Sequence, residues 1–336
     1  MNNLNSTTEL SFWQNYPQLQ AELSQVRKLI QKQIKLGQTT LGQALNYNFR
    51  KSGKMLRPAL ILLFSKFGQK SAINRRRMLK IAAAIEMLHN ATLIHDDIID
   101  ESNLRHGQKS IQAKFGKHIA VYAGDFLFAV SLSLLSDNAH VMDSIKSNSK
   151  TMEEILQGEV EQYDHSYYLD ISIADYLQQI KGKTAVLFGL AAFLGVFETG
   201  GGLLLSRRAK QFGEELGTAF QLRDDILDYT ASSQEFQKPV LLDIRDGVYS
   251  GPLIYAMQAD ASGKLWQLVA QGRKLSNEQL RQIRQMVISL GGVQQAQQLA
   301  QQHSKKALAL LQHNFPADDN RQLIQELTQK LLNRQY

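Results

Sequence analysis

Residues 82–100 read AAAIEMLHNATLIHDDIID, and this stretch decides the fold. Its apolar residues recur without strand-like alternation, which is the pattern of a buried helix, and the run closes on Asp96, Asp97 and Asp100. At about 100° of rotation per residue, Asp96 and Asp100 share one helix face, so both carboxylates can reach a single ion. The pattern returns in residues 216–228, LGTAFQLRDDILD, where Asp224, Asp225 and Asp228 close a second apolar run. One such box is an ordinary wet helix surface. Two boxes, each where a buried helix ends, are different, because core helices do not carry three acids so placed and their mutual repulsion has to be relieved. Mg²⁺ does this well, taking one or two carboxylates and completing its shell with waters and substrate phosphates. The residues therefore point to a diphosphate clamped through metal between two helices.

Composition narrows the class. A chain of 336 residues with 43% hydrophobic content can bury a large core. The absence of cysteine excludes disulfides, thiolate metal sites and a cysteine nucleophile, and fits a reducing compartment. The longest apolar stretch, residues 185–197, is shorter than a bilayer span and reads as a core helix. The first twenty residues are polar, with no signal-sequence pattern, so a cytoplasmic location is expected. The net charge is +7, but the basic residues are scattered and no aromatic-interleaved basic motif occurs, so no nucleic-acid partner is expected. Arg75, Arg76 and Arg77 form the one dense basic run. They read as a solvated turn between helices, with contact to an anionic membrane as the minor alternative.

Only five prolines occur and alternation with hairpin signals is nowhere sustained, which predicts an all-α protein. Helices are expected over residues 9–34, 38–50, 56–67, 74–100, 109–116, 118–136, 138–163, 172–197, 203–230, 249–258, 261–272, 276–290, 292–313 and 318–335. Ser276-Asn277-Glu278-Gln279 reads as an N-cap. Gly200-Gly201-Gly202 reads as a turn, since it lacks the Lys-Ser/Thr of a phosphate-binding loop. With no linker-like tract, one helical domain over residues 1–336 is the expectation.

Several residues complete the boxes. Lys54 and Arg57, three apart at a helix start, suit a diphosphate, the competing reading being an ordinary basic cap. His89 lies two turns before Asp96 on nearly the same face; a satisfied core histidine is the alternative. Arg105 and His106 follow the first box and put donors beside it. Lys183 and Thr184 open the apolar helix with one charge and one hydroxyl, and Gln221 shares the face of Asp224. Lys238, in a loop beyond the second box, reads either as a lysine that swings over the metals or as a solvated one.

At this point the sequence resembles the trans-polyprenyl diphosphate synthases, the chain-elongating isoprenoid prenyltransferases. The resemblance runs from Gly53-Lys54-x-x-Arg57-Pro58 through His89 to Asp97, Gly124-Asp125-Phe126-Leu127, Gly158-Glu159-x-x-Gln162, Lys183-Thr184-Ala185 and Phe220-Gln221-x-x-Asp224-Asp225 to Arg334-x-Tyr336. It implies a large helical bundle around a central active-site cavity, usually dimeric, with three Mg²⁺ ions on an allylic diphosphate. Asp96, Asp100, Asp224 and Asp228 would hold the metals, with Asp97 and Asp225 in support. Arg105, Lys183 and Lys238 would hold the allylic diphosphate, and Lys54, Arg57 and His89 isopentenyl diphosphate. Thr184 and Gln221 would place oxygen dipoles near an allylic cation.

Product length follows from helix geometry. A product growing back along the helix from Asp96 would pass Thr92, Ala91, Leu88 and Ala84. Short-chain relatives typically carry an aromatic five residues before the first aspartate. Ala91 stands here, so an open floor and a long-chain product are expected, suited to a quinone side chain. The family's second arginine after the first box is replaced by His106, which is only partly charged near neutral pH and cannot make a fork. Weakened, pH-dependent binding of isopentenyl diphosphate is expected, and His106→Arg should lower its KM and flatten its pH profile. Other readings are a geranylgeranyl or shorter synthase, a catalytic subunit that needs a small partner, and a terpene cyclase, against which Lys54, Arg57 and His89 argue. Transient membrane contact on product release is a further expectation.

Overall fold

The computed structural model describes residues 10–51, 53–69, 75–105, 107–139, 142–230 and 241–332. Its helices are α1 (Pro17–Gln33), α2 (Thr40–Asn48), α3 (Leu56–Phe64), α4 (Arg75–Ile99), α5 (Ile111–Phe115) and α6 (Lys117–Ser136). Then come α7 (Met142–Asp164), α8 (Ile173–Ile180), α9 (Val186–Phe197), α10 (Gly202–Thr230), α11 (Leu242–Arg245) and α12 (Gly251–Ala259). The chain ends with α13 (Lys264–Val269), α14 (Asn277–Ser289), α15 (Gly292–Asn314) and α16 (Asp319–Leu332). The all-α expectation holds. The sequence reading missed the short α11 and a two-stranded ribbon, β1 (Leu104–Arg105) paired antiparallel with β2 (Gln108–Lys109). Strands of two residues are too short to show a period.

The chain divides into two compact units, residues 1–147 with 191–206, and residues 148–190 with 207–336. No composition shift marks any of the three crossings, because each falls inside a helix. In the first unit α4 is the central element, packed by α1, α3 and α6. Ala82, Ala83 and Ala84 are fully buried on it, and Leu23, Val26 and Ile30 of α1 recur at helical spacing in the same core. Gly195 lets α9 lie against α3, since a Cβ there would stand 2.7 Å from the Ile61 carbonyl oxygen. The three-glycine break is a turn as read: Gly200 and Gly202 have positive φ, and Gly201 N–H donates to the Val196 carbonyl.

The second unit packs α14 and α15 on α12 around a core that includes Leu253, Ile254, Ile283 and Val287. Its helix starts are chemically marked. Ser276 and Gln279 form the expected capping box on α14, and Ser172 and Asp175 form another on α8. The apolar stretch 185–197, by itself too short for a bilayer, is the end of a continuous helical run of 25 residues, Ile173–Phe197, close to the helix expected over 172–197. The run passes through a π-helical turn at Lys181–Ala185, and most of it is buried inside the protein. Lys117–Ser136 also has the length and hydropathy of a span.

Candidate active site

In the first unit α4 carries His89, Asp96 and Asp97, with Asp100 directly after its last residue, and the start of α3 presents the basic pair. Met55 takes a left-handed conformation (φ 54°) as N-cap of α3, turning the chain so that Lys54 and Arg57 fall on either side of the helix start. The turn is pinned by Trp13, whose indole Nε1 donates to the Lys54 carbonyl at 2.7 Å. Glu86, one turn before His89, is buried at 4% exposure in an otherwise apolar stretch. Desolvation raises its carboxyl to about 7, against the pull of Arg57 and a hydrogen bond from Asn90. The same desolvation lowers Arg57 to about 10, with Glu86 opposing. Asn90 in turn accepts from Asn48 Nδ2 at 3.2 Å. Sequence reasoning missed Glu86. The signal was there, a lone acid inside an apolar run.

Asp97, the middle acid of the first box, faces inward, and its Oδ1 accepts from Arg105 Nε at 3.0 Å and Nη2 at 2.6 Å. Arg105 sits on β1, so the ribbon fixes the reach of this ion pair. Asp97 is thus paired with Arg105, which the ribbon holds beside the box. The floor behind the box differs from the sequence expectation. Ala91, Leu88 and Ala84 are all at or below 1% exposure, and the Ser131 hydroxyl of α6 bonds to the Ala84 carbonyl. The small side chains that would have left room for product let α6 close in, as interiors pack without voids.

In the second unit, the π-helical turn sets out Lys183 and Thr184. Gly158 of α7 and Gly182 of this turn meet so closely that a Cβ on Gly182 would stand 2.8 Å from the Gly158 Cα. That contact brings Lys183 Nζ to Gln162 Oε1 (3.4 Å) and Glu159 Oε2 (3.8 Å). Thr184 Oγ1 donates to Gln221 Oε1 at 2.8 Å, and Gln221 Nε2 donates to Asp225 Oδ1 at 2.8 Å. The other oxygen of Asp225 accepts from the Tyr176 hydroxyl at 2.6 Å. Asp225 is therefore held by donors on both oxygens, the counterpart of Asp97. Tyr176 carries no sequence signal, being one aromatic on an amphipathic helix.

The charge balance of this box favours a cation. Desolvation, then repulsion from Asp225, Asp243 and Asp224, raises Asp228 to about 7. Desolvation raises Asp225 to about 6, with Tyr176 and Gln221 opposing and Asp243 adding. Asp243 on α11 thus joins the box as a fourth carboxylate. Among the described residues no group of three or more His, Cys, Asp or Glu side chains is placed to hold a metal ion by itself. An open set of oxygen donors is what Mg²⁺ uses when waters and phosphates fill the remaining positions, so the residues fit that ion. Both His106 and Lys238 lie outside the described residues.

Residues 38–287 match the polyprenyl synthetase family. This chain belongs to that family. Similar proteins include heptaprenyl diphosphate synthase component 2 of Geobacillus stearothermophilus, 31% identical over 325 residues spanning 96% of this chain and 98% of the relative. Among solved structures, geranylgeranyl pyrophosphate synthase from Lactobacillus brevis superposes with a TM-score of 0.89 at 35% identity, covering 97% of this chain and 100% of that one. Polyprenyl synthase from Caulobacter crescentus, solved with calcium and isoprenyl diphosphate, gives 0.87 at 30% identity, covering 95% and 97%. This polyprenyl synthetase is a prenyltransferase on the all-α isoprenoid synthase fold. For it, no serine, cysteine or histidine nucleophile has to be found.

Proposed function

We propose that this enzyme adds isopentenyl diphosphate head to tail onto an allylic diphosphate, such as farnesyl diphosphate, and repeats the addition to a long-chain polyprenyl diphosphate. The observation that carries the reading is the parallel build of the boxes: in each, the middle acid is held by donors, and the outer pair is four residues apart at or just past the end of a helix. Asp96 and Asp100, and Asp224 and Asp228, would hold Mg²⁺, three ions by family resemblance. The metal supplies charge that stabilises the departing diphosphate. Lys183, Arg105 and Lys238 would bind that diphosphate, and Lys54, Arg57 and His89 the isopentenyl diphosphate. The C–O bond of the allylic substrate breaks with its electron pair leaving on diphosphate. The isopentenyl double bond then attacks the allylic carbon, and a proton is lost to the released diphosphate. Thr184 and Gln221 would stabilise the cation through oriented dipoles.

Ala91 and Thr92, in place of an aromatic, support a product on the order of six or more isoprene units at helical rise. The burial of Ala91, Leu88 and Ala84 favours the second reading, a geranylgeranyl-length product, because a longer chain has to part α4 from α6. A further variant is a catalytic subunit with a small partner, a reading supported by the words "component 2" in the name of the Geobacillus relative. We place the reaction in the cytoplasm, as a homodimer or with that partner, with membrane contact only on product release. One assay tests these points: purified chain, Mg²⁺, farnesyl diphosphate and labelled isopentenyl diphosphate, with products resolved by length. A ladder ending at long chains is expected. A stop at geranylgeranyl diphosphate overturns the long-chain reading, and absence of product from the chain alone identifies a missing subunit.

A further inference from the structure

The hydrogen bonds around Asp225 form a chain with one direction. An ionised carboxylate only accepts, so Gln221 must turn its Nε2 to Asp225 and its Oε1 to Thr184, and Thr184 must give its proton to Gln221. At the far end, the Tyr176 phenol oxygen accepts from the Gly251 backbone N–H, which leaves its one proton for Asp225. Tyr176 is 2% exposed and wedged in place: a Cβ on Gly251 would lie 3.0 Å from its Cε1. The helix that carries it is fixed by the Ser172–Asp175 capping box. Every proton in the series therefore points at Asp225, and the lone pairs of the Thr184 oxygen are left for whatever lies beyond it.

We propose that Tyr176 is a positioning residue for the condensation, acting through Asp225 and Gln221 to hold the Thr184 oxygen with its lone pairs toward the allylic cation. This rests on the reading that Thr184 faces that cation. Removing the phenol proton leaves Asp225 Oδ2 unsatisfied, and the buried carboxylate and amide then relax toward other donors. Thr184 loses its fixed orientation. The Tyr176 hydrogen bond goes to Asp225 rather than to the outer pair, and phenylalanine at this position removes no charge from the box, so substrate and metal binding should change far less than kcat.

The test uses full-length protein with farnesyl and isopentenyl diphosphates. Tyr176→Phe should lower kcat about tenfold, less than the loss of a donor that touches the reacting charge, with both KM values within about twofold. Mn²⁺ affinity, read by electron paramagnetic resonance with inorganic pyrophosphate as probe, should not change. Thr184→Val should lower kcat, Thr184→Ser should restore it, and Tyr176→Phe added to Thr184→Val should cost nothing more, because one chain has been cut twice. Gln221→Leu cuts the same chain one link nearer Thr184 and carries the same expectation, so a folding failure in either variant leaves the test standing. A wild-type kcat in Tyr176→Phe, losses that multiply in the double variant, or Mn²⁺ affinity falling with the rate would each overturn the proposal alone. A wild-type kcat in Thr184→Val would overturn the reading of Thr184 beneath it.

Discussion

Glu86 shows how a single buried residue can matter without touching substrate. Its carboxyl is raised from an ordinary 4.5 to about 7, so its protonated form favours the folded state; that contribution is complete below about 4.5 and is lost as pH rises through 7. The ceiling is about 3 kcal/mol at roughly 1.4 kcal/mol per unit, and pairing with Arg57 limits it. Glutamine mimics the protonated form, so the difference in Tm, wild type minus Glu86→Gln, should shrink or turn negative from pH 5 to pH 9. Calorimetry across that range checks it; a constant difference would show that Glu86 does not titrate there. At Ala91 the expectation is steric. Ala91→Tyr places an aromatic in a position with no exposure, so it should lower Tm by overpacking and shorten any product that has to part α4 from its neighbours. Product analysis by chain length decides it, and an unchanged ladder would mean that the chain does not grow past this residue.

At the scale of elements, the crossing of α7 with the π-helical turn is the joint on which Lys183 and Thr184 depend. Gly158 and Gly182 approach backbone to backbone, so a methyl on either has no flexible neighbour to push aside. Gly182→Ala should cost about 1–3 kcal/mol by overpacking and lower kcat by displacing Lys183 from Glu159 and Gln162. Thermal melts with steady-state kinetics measure both, and wild-type values in each would show that the turn accommodates a side chain. The helices themselves were legible from period and caps: α4, α6, α10 and α15 fall within a residue or so of their expected spans, and Ser276 caps α14 as read. The π-turn was not legible. It comes from the fit of Gly182 onto Gly158, a contact between residues far apart in the chain, which no local pattern records.

For the whole molecule, chemistry-bearing residue types and their order were determined by the sequence itself: two acidic boxes, Lys54 with Arg57, Lys183 with Thr184, and Gln221 ahead of Asp224. Helical period put the outer acids of each box on one face because i and i+4 coincide in any α-helix. Those assignments need only local geometry. Tertiary structure decided which side chains hold the middle acids. Asp97 is taken by Arg105 from a two-residue strand, and Asp225 by Tyr176 from α8. It also decided that Ala91 lies in a closed seam, where the sequence alone read an open floor. It made Glu86 a buried partner of Arg57. The division has one physical reason. Periodicity and capping depend on neighbours within about a turn, whereas desolvation, hydrogen-bond saturation and void filling depend on which distant side chains arrive, and only the packed chain specifies that.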